Sequence, residues 1–153
     1  MTTLRALGSG LAGALALTAV HETARRALAG APRMDVLGMR GIARSLEAVG
    51  QTPPEEGRLH ELALAGDILS NSLYYSMVGV GGPEGAWLRG ALLGLAAGVG
   101  AVLLPGPLGL GEAPSNRTPA TRAMTVGWYL LGGLAAAAAC RLMARGGDRG
   151  PET

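Results

Sequence analysis

A chain of 153 residues that is 48% hydrophobic and 16% charged falls well below the charged fraction of about one quarter typical of soluble domains. Its net charge of +2 is small and dispersed, without a basic stripe interleaved with aromatics, and gives no footing for a nucleic-acid partner. A single cysteine, Cys140, excludes an intrachain disulfide and a Cys-x-x-Cys metal or redox motif.

The apolar mass is Ala, Leu, Gly and Val, with 26 glycines and no phenylalanine. Such a composition suits helices that approach closely through small side chains. All 13 basic residues are arginine. With the excess of Ala and Gly, this suggests a GC-rich bacterial genome. A bilayer core of about 30 Å needs roughly 20 mostly apolar residues in a helix. Four segments approach that length. The expected fold is an all-α membrane protein: a four-transmembrane-helix bundle with a short interfacial amphipathic helix between spans 1 and 2, in one domain over residues 1–145.

The first span covers about 4–24. Arg25 and Arg26 follow it directly, and "TAVHETA" is a poor cleavage site, so it reads as a retained span rather than a signal peptide. Next comes "RMDVLGMRGIARSLEAVGQ". Val36, Met39, Ile42 or Ala43, Leu46 and Val49 recur at three and four residues, which predicts an amphipathic helix over about 35–49 with Asp35 as its N-cap. It is too polar to span. Its arginines can reach anionic lipid, or the helix can cover one end of the bundle. The two roles are compatible.

The second span covers about 53–80. Thr52, Pro53 and Glu55 form a capping-box pattern that predicts a start near Pro53. "VGGPEGAW" is a tight connection, so the second and third spans are expected to be antiparallel neighbours. The third span, about 85–104, carries Gly90, Gly94 and Gly98 at every fourth residue, a smooth ridge for another backbone. That ridge suits packing within the chain, the reading preferred here, or a homodimer seam. "PGPLGLGEAPSNRTP" has too much Pro and Gly for regular structure and predicts a long loop. Thr118 before Pro119 predicts the cap of the fourth span, about 119–143. Residues 146–153 read as a disordered tail.

Orientation is pulled two ways. Arg25, Arg26, Arg33, Arg40, Arg44 and Arg58 between the first two spans favour a cytoplasmic connection there, whereas Arg141, Arg145 and Arg149 favour a cytoplasmic C-terminus.

The second span is the unusual one. At about 100° per residue, His60, Asp67 and Asn71 fall on one stripe, flanked by Glu56, Tyr74 and Tyr75. A carboxylate inside a span costs several kcal/mol unless paired, hydrated or protonated, so this seam is expected to face the bundle interior. His21-Glu22 ends the first span and His60-Glu61 begins the second. Antiparallel helices would bring both pairs to one membrane face.

Three roles compete for these residues. The primary one is structural: a non-catalytic membrane component, structural or accessory, with a buried polar His/Glu/Asp/Asn network. The second is a transporter or proton- or solute-conducting module using Asp67 and the histidines. The third is a membrane metal enzyme with His21, Glu56 and His60 as weak ligand candidates; neither a Glu-x-x-His nor a His-x-x-x-His motif occurs. No nucleophile elbow or Walker loop is present, and "GSGLAG" lacks a preceding strand, so it reads as helix packing. No cofactor is expected. The expected partners are the lipid bilayer and a second copy or another membrane protein, in a bacterial inner membrane.

Overall fold

The computed structural model describes residues 3–147. The chain forms α1 (Thr3–Ala27), α2 (Met34–Ala48), α3 (Glu56–Ser76) continued by a 3₁₀ turn (Met77–Gly79), α4 (Ala86–Leu103), α5 (Ala113–Asn116) and α6 (Pro119–Gly147). No strand occurs among the described residues. The expected disordered tail starts inside α6 at residues 146–147; residues 148–153 lie outside the described residues.

Among the described residues three helices, not the expected four, are long and apolar enough to cross a membrane: α1, α4 and α6. α3 is long enough at 21 residues, but its polar seam of His60, Asp67, Asn71, the tyrosines and three serines lowers its hydropathy. It nonetheless returns the chain along α1. Gly10 abuts the Ser72 carbonyl near one end, and Thr18 meets Asp67 further along, so the pair runs antiparallel.

The long helices pack in the order α3–α1–α6–α4. α6 runs antiparallel to both its neighbours. Along α1 the matches are Gly8 with Met143, Gly13 with Gly132 and His21 with Trp128. Along α4 they are Gly90 with Gly133, Gly94 with Leu130 and Gly98 with Val126. The glycine ridge of α4 is therefore covered by α6 of the same chain. A Cβ at Gly94 would lie 2.7 Å from the Tyr129 carbonyl oxygen, and one at Gly98 2.7 Å from the Val126 Cα. Glycine costs a helix about 1 kcal/mol relative to alanine. Here that cost is offset by contact between backbones, the main source of helix cohesion where lipid supplies no hydrophobic drive.

The tight connection after α3 does not make α3 and α4 packed neighbours. Gly81 and Gly82 turn it with φ of 89° and 93°. Arg89 of α4 ties it down by donating to the carbonyls of Val78 and Gly82, and Arg141 of α6 donates to Pro83. These bonds draw α4 onto α6. Among the described residues a direct bridge between α3 and α4 runs from the Tyr74 hydroxyl to the Leu93 carbonyl at 2.9 Å.

At the end where α1 finishes, α2, α5 and the 105–118 loop form a cover. Arg40 donates to the Leu110 carbonyl at 2.6 Å and Arg44 to that of Gly109 at 2.5 Å. These arginines thus brace the loop, and the cover role of α2 is the one observed. The long loop is more ordered than expected, since it contains α5, whose Ser115 carbonyl accepts from Thr125. Thr118 caps α6 as predicted, its Oγ1 accepting from the Thr121 N–H at 3.0 Å.

Three local expectations are corrected. α3 starts at Glu56, with Glu55 before it and no side-chain cap, so the Thr52 capping box does not form. Asp35 lies within the first turn of α2 and Arg33 precedes the helix. The predicted apolar face of α2 is half-buried over Val36, Met39, Ile42, Ala43 and Leu46, but the inward side is shifted: Leu37 is the buried residue, Gly38 lies against Ala63, and Val49 is past the helix end and 71% exposed. Gly38 admits α3 so closely that α2 docks on that side.

Candidate functional site

Between α1, α2 and α3 lies a cavity of about 300 Å³. α1 contributes Thr18, His21 and Glu22; α3 contributes His60, Gly66 and Asp67; α2 contributes Asp35 below an apolar wall of Met34, Leu37 and Ile42. The helical periods explain the convergence. Thr18, His21 and Glu22 are at i, i+3 and i+4, and His60 and Asp67 are two turns apart on one face of α3.

Asp67 is the charged group furthest along the seam. Its Oδ1 accepts from the Asn71 amide at 2.8 Å and its Oδ2 from the Thr18 hydroxyl at 3.3 Å. No arginine pairs with it among the described residues. The other two carboxylates of the cavity are held by cations. Glu22 is gripped at both oxygens by Arg25, at 2.8 and 2.6 Å, and also accepts from Arg26 at 3.0 Å. Asp35 accepts two bonds from Arg33, at 2.9 and 2.7 Å.

Asp35 lies outside the three helices long and apolar enough to cross a membrane. Burial works to raise its carboxyl pKa. The hydrogen bonds and charge of Arg33, the Val36 N–H and the charge of Arg25 outweigh that and hold it below the usual carboxylate value.

His21 is 6% exposed. Its ring lies 5.3 Å from Trp128 and 5.6 Å, edge-on, from Tyr129, both on α6. Its Nε2 is buried and has no hydrogen-bond partner. A buried polar atom left unpaired costs about 1–3 kcal/mol, so this one stands out beside a cavity.

The structure divides the expected seam in two. His21, Glu22, His60 and Asp67 share the cavity. Glu56 does not; it lines an adjoining recess with Arg25, Arg33, Asp35 and His60. Glu61 turns away, about 100° round the helix from His60, and pairs with Arg58 at the surface. Asn71 is buried behind Asp67. Tyr74 and Tyr75 belong to helix packing: Tyr75 is fully buried and donates to the Tyr129 carbonyl at 2.7 Å.

Two cavity residues escape sequence reasoning. Thr18 sits in an apolar run, where a threonine carries no signal of its own. Asp35 looks like a helix cap, and only the docking of α2 brings it to the wall. For the metal candidates His21, Glu56 and His60, no group of three metal-ligating side chains converges among the described residues. Gly90, Gly94 and Gly98 lie on α4 against α6, away from the cavity.

Compared with known proteins, the chain matches no family model, no curated protein and no solved structure.

Proposed function

We propose that this chain is a small, non-catalytic integral membrane protein of a bacterial inner membrane whose α1–α2–α3 cavity binds a small polar solute or a proton, with Asp67 as the group that receives it. The bacterial placement rests on composition alone, arginine in place of lysine with abundant Ala and Gly. The observation that carries the site is Asp67 itself. It faces a cavity with only neutral hydrogen-bond donors on its oxygens, while both neighbouring carboxylates are held by arginine. An intramembrane carboxylate without a counter-ion is costly, and it persists where it has work to do.

The structural reading draws support from the same bonds, but less. Asn71 is on Asp67's own helix, so the one bond that joins helices there is the 3.3 Å contact with Thr18. The seam's short interhelical bonds come from Tyr74 and Tyr75 instead.

Proteoliposomes containing the purified chain test the proposal. Asp67→Asn is expected to keep helix content and oligomeric state while abolishing a pH-gradient-driven or solute flux that the unaltered chain supports. A variant that no longer folds in detergent would favour the structural reading. Equal flux through both proteins would remove Asp67 from the site.

A further inference from the structure

The chemistry of the cavity wall narrows the solute, on the reading of the site just given. We propose that the cavity takes a small protonated amine, with a primary or secondary ammonium carried on a short apolar body.

Charge is the first argument. Among the described residues lining the cavity, three are carboxylates, two are imidazoles and none is an arginine. The arginines that hold Glu22 and Asp35 approach from the adjoining recess or the surface. An anion inside would meet Asp67 with no cation in the wall to offset it. An ammonium would instead give Asp67 the charge-assisted hydrogen bond it lacks, roughly twice the strength of a neutral one.

His21 is the second argument, and it is independent of the carboxylates. His21 lines the cavity with its ring packed against α6, and its Nε2 is buried there without a hydrogen-bond partner. His21 follows Thr18 by three residues, which places it about 4.5 Å along α1 from the Thr18–Asp67 contact. A primary or secondary ammonium has at least two N–H donors. One can go to Asp67 and another to the imidazole of His21, which presents one acceptor nitrogen when neutral. A quaternary ammonium has no N–H to give. An inorganic cation would leave the opposite wall of Met34, Leu37 and Ile42 without an apolar partner. The volume, about 300 Å³, sits at the low end of ligand pockets and limits the body to a short chain or a single ring.

Trp128 supplies a reporter, because its ring lies against His21. The other tryptophan, Trp87, sits half exposed at the start of α4, at the opposite end of the bundle. In a Trp87→Phe background the purified full chain in detergent is titrated at neutral pH with butylammonium, tetramethylammonium, butanol and butyrate. Butylammonium is expected to give a saturable change in Trp128 emission. Butanol and tetramethylammonium should bind about tenfold more weakly or less, and butyrate should have no effect. Asp67→Asn should abolish the butylammonium response. The four-ligand comparison uses the native cavity, so it decides even if that variant fails to fold. Equal responses to butanol and butylammonium would overturn the amine and leave a polar-solute site standing. No response to any ligand, with Asp67-dependent proton flux in proteoliposomes, would overturn the amine alone. No response and no flux would overturn both.

Discussion

Thr18 on α1 and Asp67 on α3 meet at 3.3 Å, and their contact divides the helix pair into a closed half and an open half. On one side Gly10 brings the two backbones together at Ser72. On the other side His21, Glu22 and His60 stand around the cavity that separates the helices. Closure and opening of one interface both follow from residue size. Glycine admits the partner backbone at Ser72, and no glycine of α1 lines the cavity.

The close approach of α4 and α6 is sensitive to a single methyl group. Gly94→Ala places a Cβ against the Tyr129 carbonyl and the Leu130 Cα, atoms that move only with the helix. We expect a loss of about 1–3 kcal/mol, read from thermal or denaturant unfolding in detergent. Gly127→Ala is the control on α6, where nothing lies within 4 Å of the added carbon. There alanine should stabilise by about 0.5–1 kcal/mol. The same sign for both variants would contradict the packing described.

Tyr75→Phe keeps the ring in the core with Leu17 and Val78 but removes the bond to the Tyr129 carbonyl. The expected cost is about 0.5–1.5 kcal/mol, toward the lower figure if it follows interhelical bonds in membranes. An unchanged unfolding midpoint would show that this bond does not tie α3 to α6.

The Arg33–Asp35 pair gives α2 a pH dependence of known sign. Asp35 has a lowered carboxyl pKa in the folded chain. Its stabilisation is therefore present above the unfolded value of about 4 and is lost as pH falls from there through the folded value. Asp35→Asn should be less stable than the unaltered chain at pH 6, and the difference should shrink steadily below about pH 4. Unfolding midpoints of both proteins across that range check it. A gap undiminished at the acid end would contradict the pairing.

The helices themselves and the polar face of α3 are legible in the sequence, because His60, Asp67 and Asn71 repeat at helical spacing and polar groups are conspicuous among leucines. The ridge at Gly90, Gly94 and Gly98 is legible for the same reason. The ridge's partner is not: a short loop suggests α3, and α6 takes the place because Gly132 and Gly133 offer a backbone to match on both faces. The inward face of α2 is hidden since Gly38 carries no hydropathy signal, yet its missing side chain is what lets α3 approach. Asp35 and Thr18 become site residues only through that docking. Local pattern reports which residues are unusual on their own helix; it is silent about residues made important by a neighbour.

Whether the α1–α2–α3 cavity, apolar on its α2 wall and carrying Asp67, is open to solutes can be read at Gly66. This residue lines the cavity and is itself exposed, and nothing lies within 4 Å of a Cβ built there, so a cysteine fits. The native Cys140 is buried and gives the blank. Leu69→Cys, on an exposed apolar position of the same helix outside the cavity, is the comparison. With the chain in lipid vesicles, Gly66→Cys is predicted to react readily with a water-soluble ammonium-bearing methanethiosulfonate, more slowly with its sulfonate counterpart, and faster than Leu69→Cys with either. If Gly66→Cys is as unreactive as Leu69→Cys toward both reagents, the cavity is closed to water and Asp67 receives no solute there.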